Sequence, residues 1–233
     1  GFNQQGNASV AIGYLAGCGD QGTKAVAVGT AAGQTAQGTN TVAVGNSAGE
    51  TGQNNFSVAI GTNAGCRAQD GAVAVGSSAG RDGQGDDAIA IGPSAGHTSQ
   101  GVSSIAIGHD AGSAGQNTFS VAIGINTALN AQGTNAVAIG RGAGQNVQGN
   151  QAVAMGYHAG LNAQGNNSTA VGRDAGCVSQ GENTTTVGYR AGQTSQGAQA
   201  VAVGYAAGRV SQGDYAIAMG YIAGSASQGA EAV

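Results

Sequence analysis

A fixed period governs this chain. Glycines that follow a Val-Ala-Val or Val-Ala-Ile triplet, or a close variant of it, fall at Gly13, Gly29, Gly45, Gly61, Gly76, Gly92, Gly108, Gly124, Gly140, Gly156, Gly172, Gly188, Gly204 and Gly220. The step is 16 residues throughout, except for 15 between Gly61 and Gly76. Fourteen copies of one unit, Gln-Gly-x-x-Ala-Val-Ala-Val-Gly-x-x-Ala-Gly-x-x-small, thus fill the 233 residues without a linker or a second domain. Self-similarity at such a period marks stacked supersecondary units that bury surface only against their neighbours. Residues 1–233 are expected to form a single repetitive segment of a longer fibrous protein.

The composition narrows the architecture. There are 46 Gly but one Pro, which excludes a collagen triple helix. Only 4% of residues are aromatic and 8% charged, too few for the core and surface of an ordinary enzyme domain. The net charge of −4 gives no footprint for nucleic acid. No apolar run reaches the length of a membrane-spanning helix, so a membrane would be met only through a domain outside this segment.

Within each unit, Val10-Ala11-Ile12 and its equivalents alternate branched with small side chains, the period of a strand. Helical i, i+3, i+4 spacing is missing, and glycine every few residues would be costly in a helix. The fold class read from this is all-β, a parallel β-solenoid of about fourteen 16-residue coils. A second strand is expected near Ala-Gly-x-x-small, and neighbouring coils should pair at about 4.8 Å.

Side chains then sort by coil position. Branched residues such as Val26, Val28, Ile89 and Ile91 are expected to point into the coil. The alanines between them, Ala11, Ala27, Ala43, Ala59, Ala74, Ala90, Ala106, Ala122, Ala138 and Ala154, would then form a flat outward stripe. A small-residue stripe of that length invites the backbone of another chain, and closed cyclic symmetry would bury every copy equally. The first coil position is Gln; Gln21, Gln37, Gln100, Gln132, Gln148, Gln164, Gln180 and Gln196 are expected to stack as an amide ladder. Charged residues avoid the Val-Ala-Val strand and read as a solvated surface.

Ser9-Val-Ala-Ile-Gly13, Ser57-Val-Ala-Ile-Gly61 and Ser120-Val-Ala-Ile-Gly124 resemble the head repeats of YadA-like trimeric autotransporter adhesins, and looser versions cover all fourteen coils. The repeats also look similar to those in fibre proteins of viruses and phages. The resemblance implies a homotrimer of left-handed parallel β-rolls, held at the end of a stalk and binding host or matrix surfaces. The period of 16 is longer than the usual head repeat. The implied function is a non-catalytic adhesive fibre head, extracellular on a cell or virion surface. Its partners would be other copies of itself and a host surface protein, matrix component or glycan. The alternative is a structural filament or spacer. Ice binding is a third class, disfavoured because Thr ladders are missing from the face read as outward.

Few residues carry chemistry. Cys18, Cys66 and Cys177 share one repeat position. The first two lie three coils apart, about 14 Å on the strand spacing, beyond a disulfide. Free thiols are expected, with a bridge between chains as the alternative. His97, His109 and His158 fall at three different coil positions, and neither a Ser-His-Asp arrangement nor Cys-x-x-Cys spacing occurs. No catalytic residue, metal or cofactor is therefore expected. Tyr189, Tyr205 and Tyr221 follow the strand glycine in three consecutive coils and should stack as an exposed row, a candidate contact strip for sugar or protein.

Overall fold

The computed structural model describes residues 4–233. They form an all-β parallel solenoid with a spacing of about 16 residues, and no helix occurs among them. Two compact units divide the chain, one ending at Thr118 and one running from Phe119 to Val233.

In the first unit, seven three-residue strands from Val10–Ile12 to Ile105–Ile107 pair in parallel. The register matches equivalent residues: Val26 faces Val42, Ala27 faces Ala43 and Val28 faces Val44. Across the 15-residue step the same register holds, Ala59 against Ala74. The missing residue falls in the turn between Gln69 and Val73, where the chain can shorten without moving a strand. A second sheet runs from Thr51–Gln53 to Ala114–Gln116.

The second unit repeats the plan. Its first sheet holds seven strands from Val121–Ile123 to Ile217–Met219, and its second sheet runs from Asn130–Gln132 to Val210–Gln212. In the second sheet only the end residues of each strand pair, as Asn146 with Asn162 and Gln148 with Gln164. The central residue, Val147 at φ 55° or Ala163 at φ 54°, is left-handed and takes its peptide out of the ladder.

The interior reverses one expectation. The alanines read as an outward stripe point inward: Ala27, Ala43, Ala59, Ala74, Ala90, Ala106, Ala122, Ala138 and Ala154 are fully buried within their own chain, and Ala11 is half-buried in the first coil. The branched residues on either side, including Val26, Val28, Ile89 and Ile91, are half-exposed or exposed. The cause is the width of the coil. A Cβ built on Gly144 would sit 3.4 Å from Ala138 Cβ and 2.8 Å from Gln148 Oε1, so the lumen has room for a methyl and an amide and nothing larger. Among the described residues, the buried apolar side chains are alanines and Cys177.

Candidate binding surfaces

The interior is built of amides and hydroxyls as much as methyls. Most glutamines of the repeat reach across the lumen to the opposite sheet. Gln21 Nε2 donates to Val10 O at 2.9 Å, Gln100 Nε2 to Ile89 O at 2.8 Å and Gln164 Nε2 to Val153 O at 2.8 Å. Ladder bonds along the coils occur as well, from Gln21 to Gln37 at 3.1 Å, Gln37 to Gln53 at 3.3 Å, Gln132 to Gln148 at 3.1 Å and Gln196 to Gln212 at 3.2 Å. At Gln100, Gln164 and Gln180 the Oε1 atom accepts no hydrogen bond among the described residues, so the ladder is interrupted there. The amides therefore chiefly tie sheet to sheet, a pairing that buried strand carbonyls need.

Thr186 takes the place of an inward alanine. Its hydroxyl donates to Thr169 O at 3.0 Å and accepts from Gln180 Nε2 at 3.2 Å, which satisfies a polar group at a fully buried position. Thr169 and Thr185, which stand in branched positions, are half-exposed and face outward with the valines.

With methyls and amides inside, the large apolar side chains line the outer face of the first sheet. In the first unit Ile12 is 59% exposed, with Val10, Ile60 and Ile91 also open. In the second unit Met155, Val187, Ile217 and Met219 are exposed, Met219 at 66%. The sequence pattern alone did not mark this branched row as an outer surface. The signal for it was the Ala-Gly and Gln-Gly pairing in most units, which leaves no room inside for a valine.

A second surface lies along the turn after the strand glycine. Tyr189 and Tyr205 stack with ring centroids 5.1 Å apart, and Tyr205 and Tyr221 at 5.2 Å. Tyr205 is 49% and Tyr221 76% exposed. The arginines that join them were not singled out from sequence: Arg173 Cζ lies 5.7 Å and Arg190 Cζ 5.0 Å from the Tyr189 ring centre.

The remaining reactive groups stay apart. Cys18, Cys66 and Cys177 are free thiols. Cys66 Sγ donates to Glu50 Oε2 at 3.5 Å; burial first, then this carboxylate, pushes its thiol above the ordinary range. Burial, helped by Asp174, does the same for Cys177. The exposed His109 has Nδ1 3.0 Å from its half-buried neighbour Asp110, and His158 Nδ1 lies 3.8 Å from Asp174. Among the described residues no three His, Cys, Asp or Glu side chains converge in a way that could hold a metal ion.

No curated protein gives a significant match to the chain. Residues 130–143 and 148–175 match the YadA head domain repeat in two copies, both inside the second unit. The matched segments span the strands Val137–Ile139, Val153–Met155 and Thr169–Val171 with their glycine turns, the same coil geometry that recurs in both units. On that match and that geometry, the chain carries YadA-like head repeats.

Proposed function

We propose that this chain is part of a non-catalytic surface fibre, an adhesive head that works as a homotrimer and displays a repetitive surface to host cells or extracellular matrix. The observation that carries the reading is the outer face of the first sheet. From the second coil onward the strand-centre position (Ala27 to Ala218, with Thr186 in place of one alanine) is buried, while the branched residues and methionines beside it stay half-exposed or exposed. A folded chain normally does the opposite, and burying one branched side chain is worth about 1.5–3 kcal/mol. A row of them on a flat parallel sheet is stabilised by packing against the same row on other copies. Closed symmetry buries every copy's row and leaves no open apolar edge. The YadA head repeat match supports a surface fibre of this type, displayed outside the cell or on a virion.

The test is the mass in solution. Light scattering is expected to give three chains per particle for the unaltered protein. Ile91→Asp combined with Val137→Asp should reduce it to one chain, with β-sheet circular dichroism retained. A monomeric unaltered protein overturns the reading, as does a trimer indifferent to both charges. A trimer that adheres to no cell or matrix surface would be a spacer.

A further inference from the structure

In the unit from Phe119 to Val233, the residue after the strand glycine runs Arg141, Tyr157, Arg173, Tyr189, Tyr205, Tyr221 in successive coils. These side chains form one continuous stack. Arg141 Cζ lies 5.8 Å and Arg173 Cζ 5.6 Å from the Tyr157 ring centre. Arg173 and Arg190 both lie against Tyr189, and Tyr205 and Tyr221 extend the row with interplanar angles of 20° and 19°. Asp174 is the carboxylate in the stack, 3.4 Å from Arg173 Nε and 3.8 Å from Arg190 Nε. Of the unit's other acids, Glu182 and Asp214 sit on turns that precede first-sheet strands, and Glu231 sits on the corresponding turn after the last strand. The stack thus carries three guanidiniums and one carboxylate in a chain whose net charge is −4. Cation–π contact accounts for a guanidinium over a ring, whereas the surplus of positive charge over the one carboxylate works against the stack, because like charges repel along it.

We infer that this ladder binds an acidic polysaccharide, with its carboxylate or sulfate groups on the guanidiniums and its hydroxyls on the phenols. The inference rests on the adhesive reading above and names its ligand. Guanidinium N–H groups bind oxyanions through charge-assisted bonds. Tyr157, Tyr189 and Tyr205 lie between neighbouring rings and guanidiniums, so they offer little platform for the bases of a single-stranded nucleic acid. An extended peptide presents same-face side chains about 6.6 Å apart, out of step with rungs 5.1–5.2 Å apart. A chain of hexopyranoses advances by about one ring per sugar, close to one rung.

Binding of the unaltered chain to immobilised heparin fragments, hyaluronan, neutral maltohexaose, poly-glutamate and oligo-thymidylate tests it. Heparin, which carries sulfate and carboxylate, or hyaluronan, which carries carboxylate alone, should bind and should weaken with salt, and the other three should not. Arg141→Gln with Arg173→Gln should raise Kd by about tenfold or more, and Tyr205→Ser with Tyr221→Ser by a smaller factor. Selectivity of the unaltered chain for acidic over neutral glycan reads the inference even if a variant misfolds. Equal or tighter binding of poly-glutamate or oligo-thymidylate overturns it, as does no binding of either acidic glycan or binding that the arginine changes leave untouched. Light scattering on the same samples keeps the readings apart: a trimer that ignores acidic glycans sinks the ladder and leaves the fibre, whereas a monomer sinks the trimer whatever it binds.

Discussion

Gln132 Nε2 donates to Gln148 Oε1 at 3.1 Å, one coil further along, and the same nitrogen reaches Val121 O at 2.8 Å on the opposite sheet. One amide thus joins two coils and two sheets. Gln148 continues the pattern, bonding Val137 O at 2.9 Å and Ala152 O at 3.2 Å. Replacing it with Leu strips two backbone carbonyls of a donor and forces a branched apolar group into an alanine-lined lumen. Gln148→Leu is expected to destabilise the protein by about 2–4 kcal/mol, read as a lower midpoint in urea unfolding. A midpoint shift below a tenth of the unaltered value would contradict the sheet-to-sheet role.

Two glycines separate crowding from backbone preference. Gly156 has φ 131°, and a Cβ there would lie 2.6 Å from Gly172 O in the next coil. Gly52 has φ 68° with nothing within 4 Å of the added carbon. Gly52→Ala should cost about 1–2 kcal/mol, the left-handed penalty alone. Gly156→Ala should cost clearly more, because the next coil's backbone must move as well. Thermal unfolding of the pair checks the order; equal losses would show that the stacked glycine turn tolerates a side chain.

Val147 is a branched residue at φ 55° and is 58% exposed. Left-handed backbone is unfavourable for valine and tolerated by asparagine. Val147→Asn should therefore stabilise the second unit by about 1 kcal/mol, seen as a higher melting temperature. A lower one would mean that the exposed valine makes packing contacts that outweigh its backbone strain.

Cys66 should react slowly. Burial and the Glu50 carboxylate both favour the neutral thiol and raise its pKa, so less thiolate exists at pH 8 than in the unfolded chain. Iodoacetamide labelling followed by mass spectrometry should show Cys66 lagging behind its rate in denaturant. The lag should shrink as pH rises. Glu50→Gln removes the second cause and leaves the first, so labelling should accelerate by about two- to fivefold without reaching the denatured rate. No change in Glu50→Gln would place the whole effect on burial.

Much of this molecule was legible in its repeat. The 16-residue spacing from Gly13 to Gly220, broken by a single 15-residue step, implies parallel strands in register, because stacking equivalent residues is the arrangement that satisfies every coil alike. The run Tyr189, Tyr205, Tyr221 sits 16 residues apart, and the pairing of Val187 with Val203 and Val203 with Met219 places the rings at stacking distance. The Arg contacts were legible in principle, since Arg141 and Arg173 share the tyrosines' coil position. Arg190 stands one residue further on and reaches Tyr189 only because its turn folds back, with φ 54° at Arg190 itself.

What the alternation in Val-Ala-Val determined was that one face of the strand would be small and the other branched. Which face turned inward was decided by the tertiary structure. A period of two is symmetric between inside and outside, so it carries no sign. The sign comes from the distance between the two sheets of a coil, set by Gly144 against Ala138 and by the Gln148 amide that fills the space between them. A lumen that narrow accepts methyls and expels valines, and the expelled row is the apolar surface on which assembly is proposed to depend.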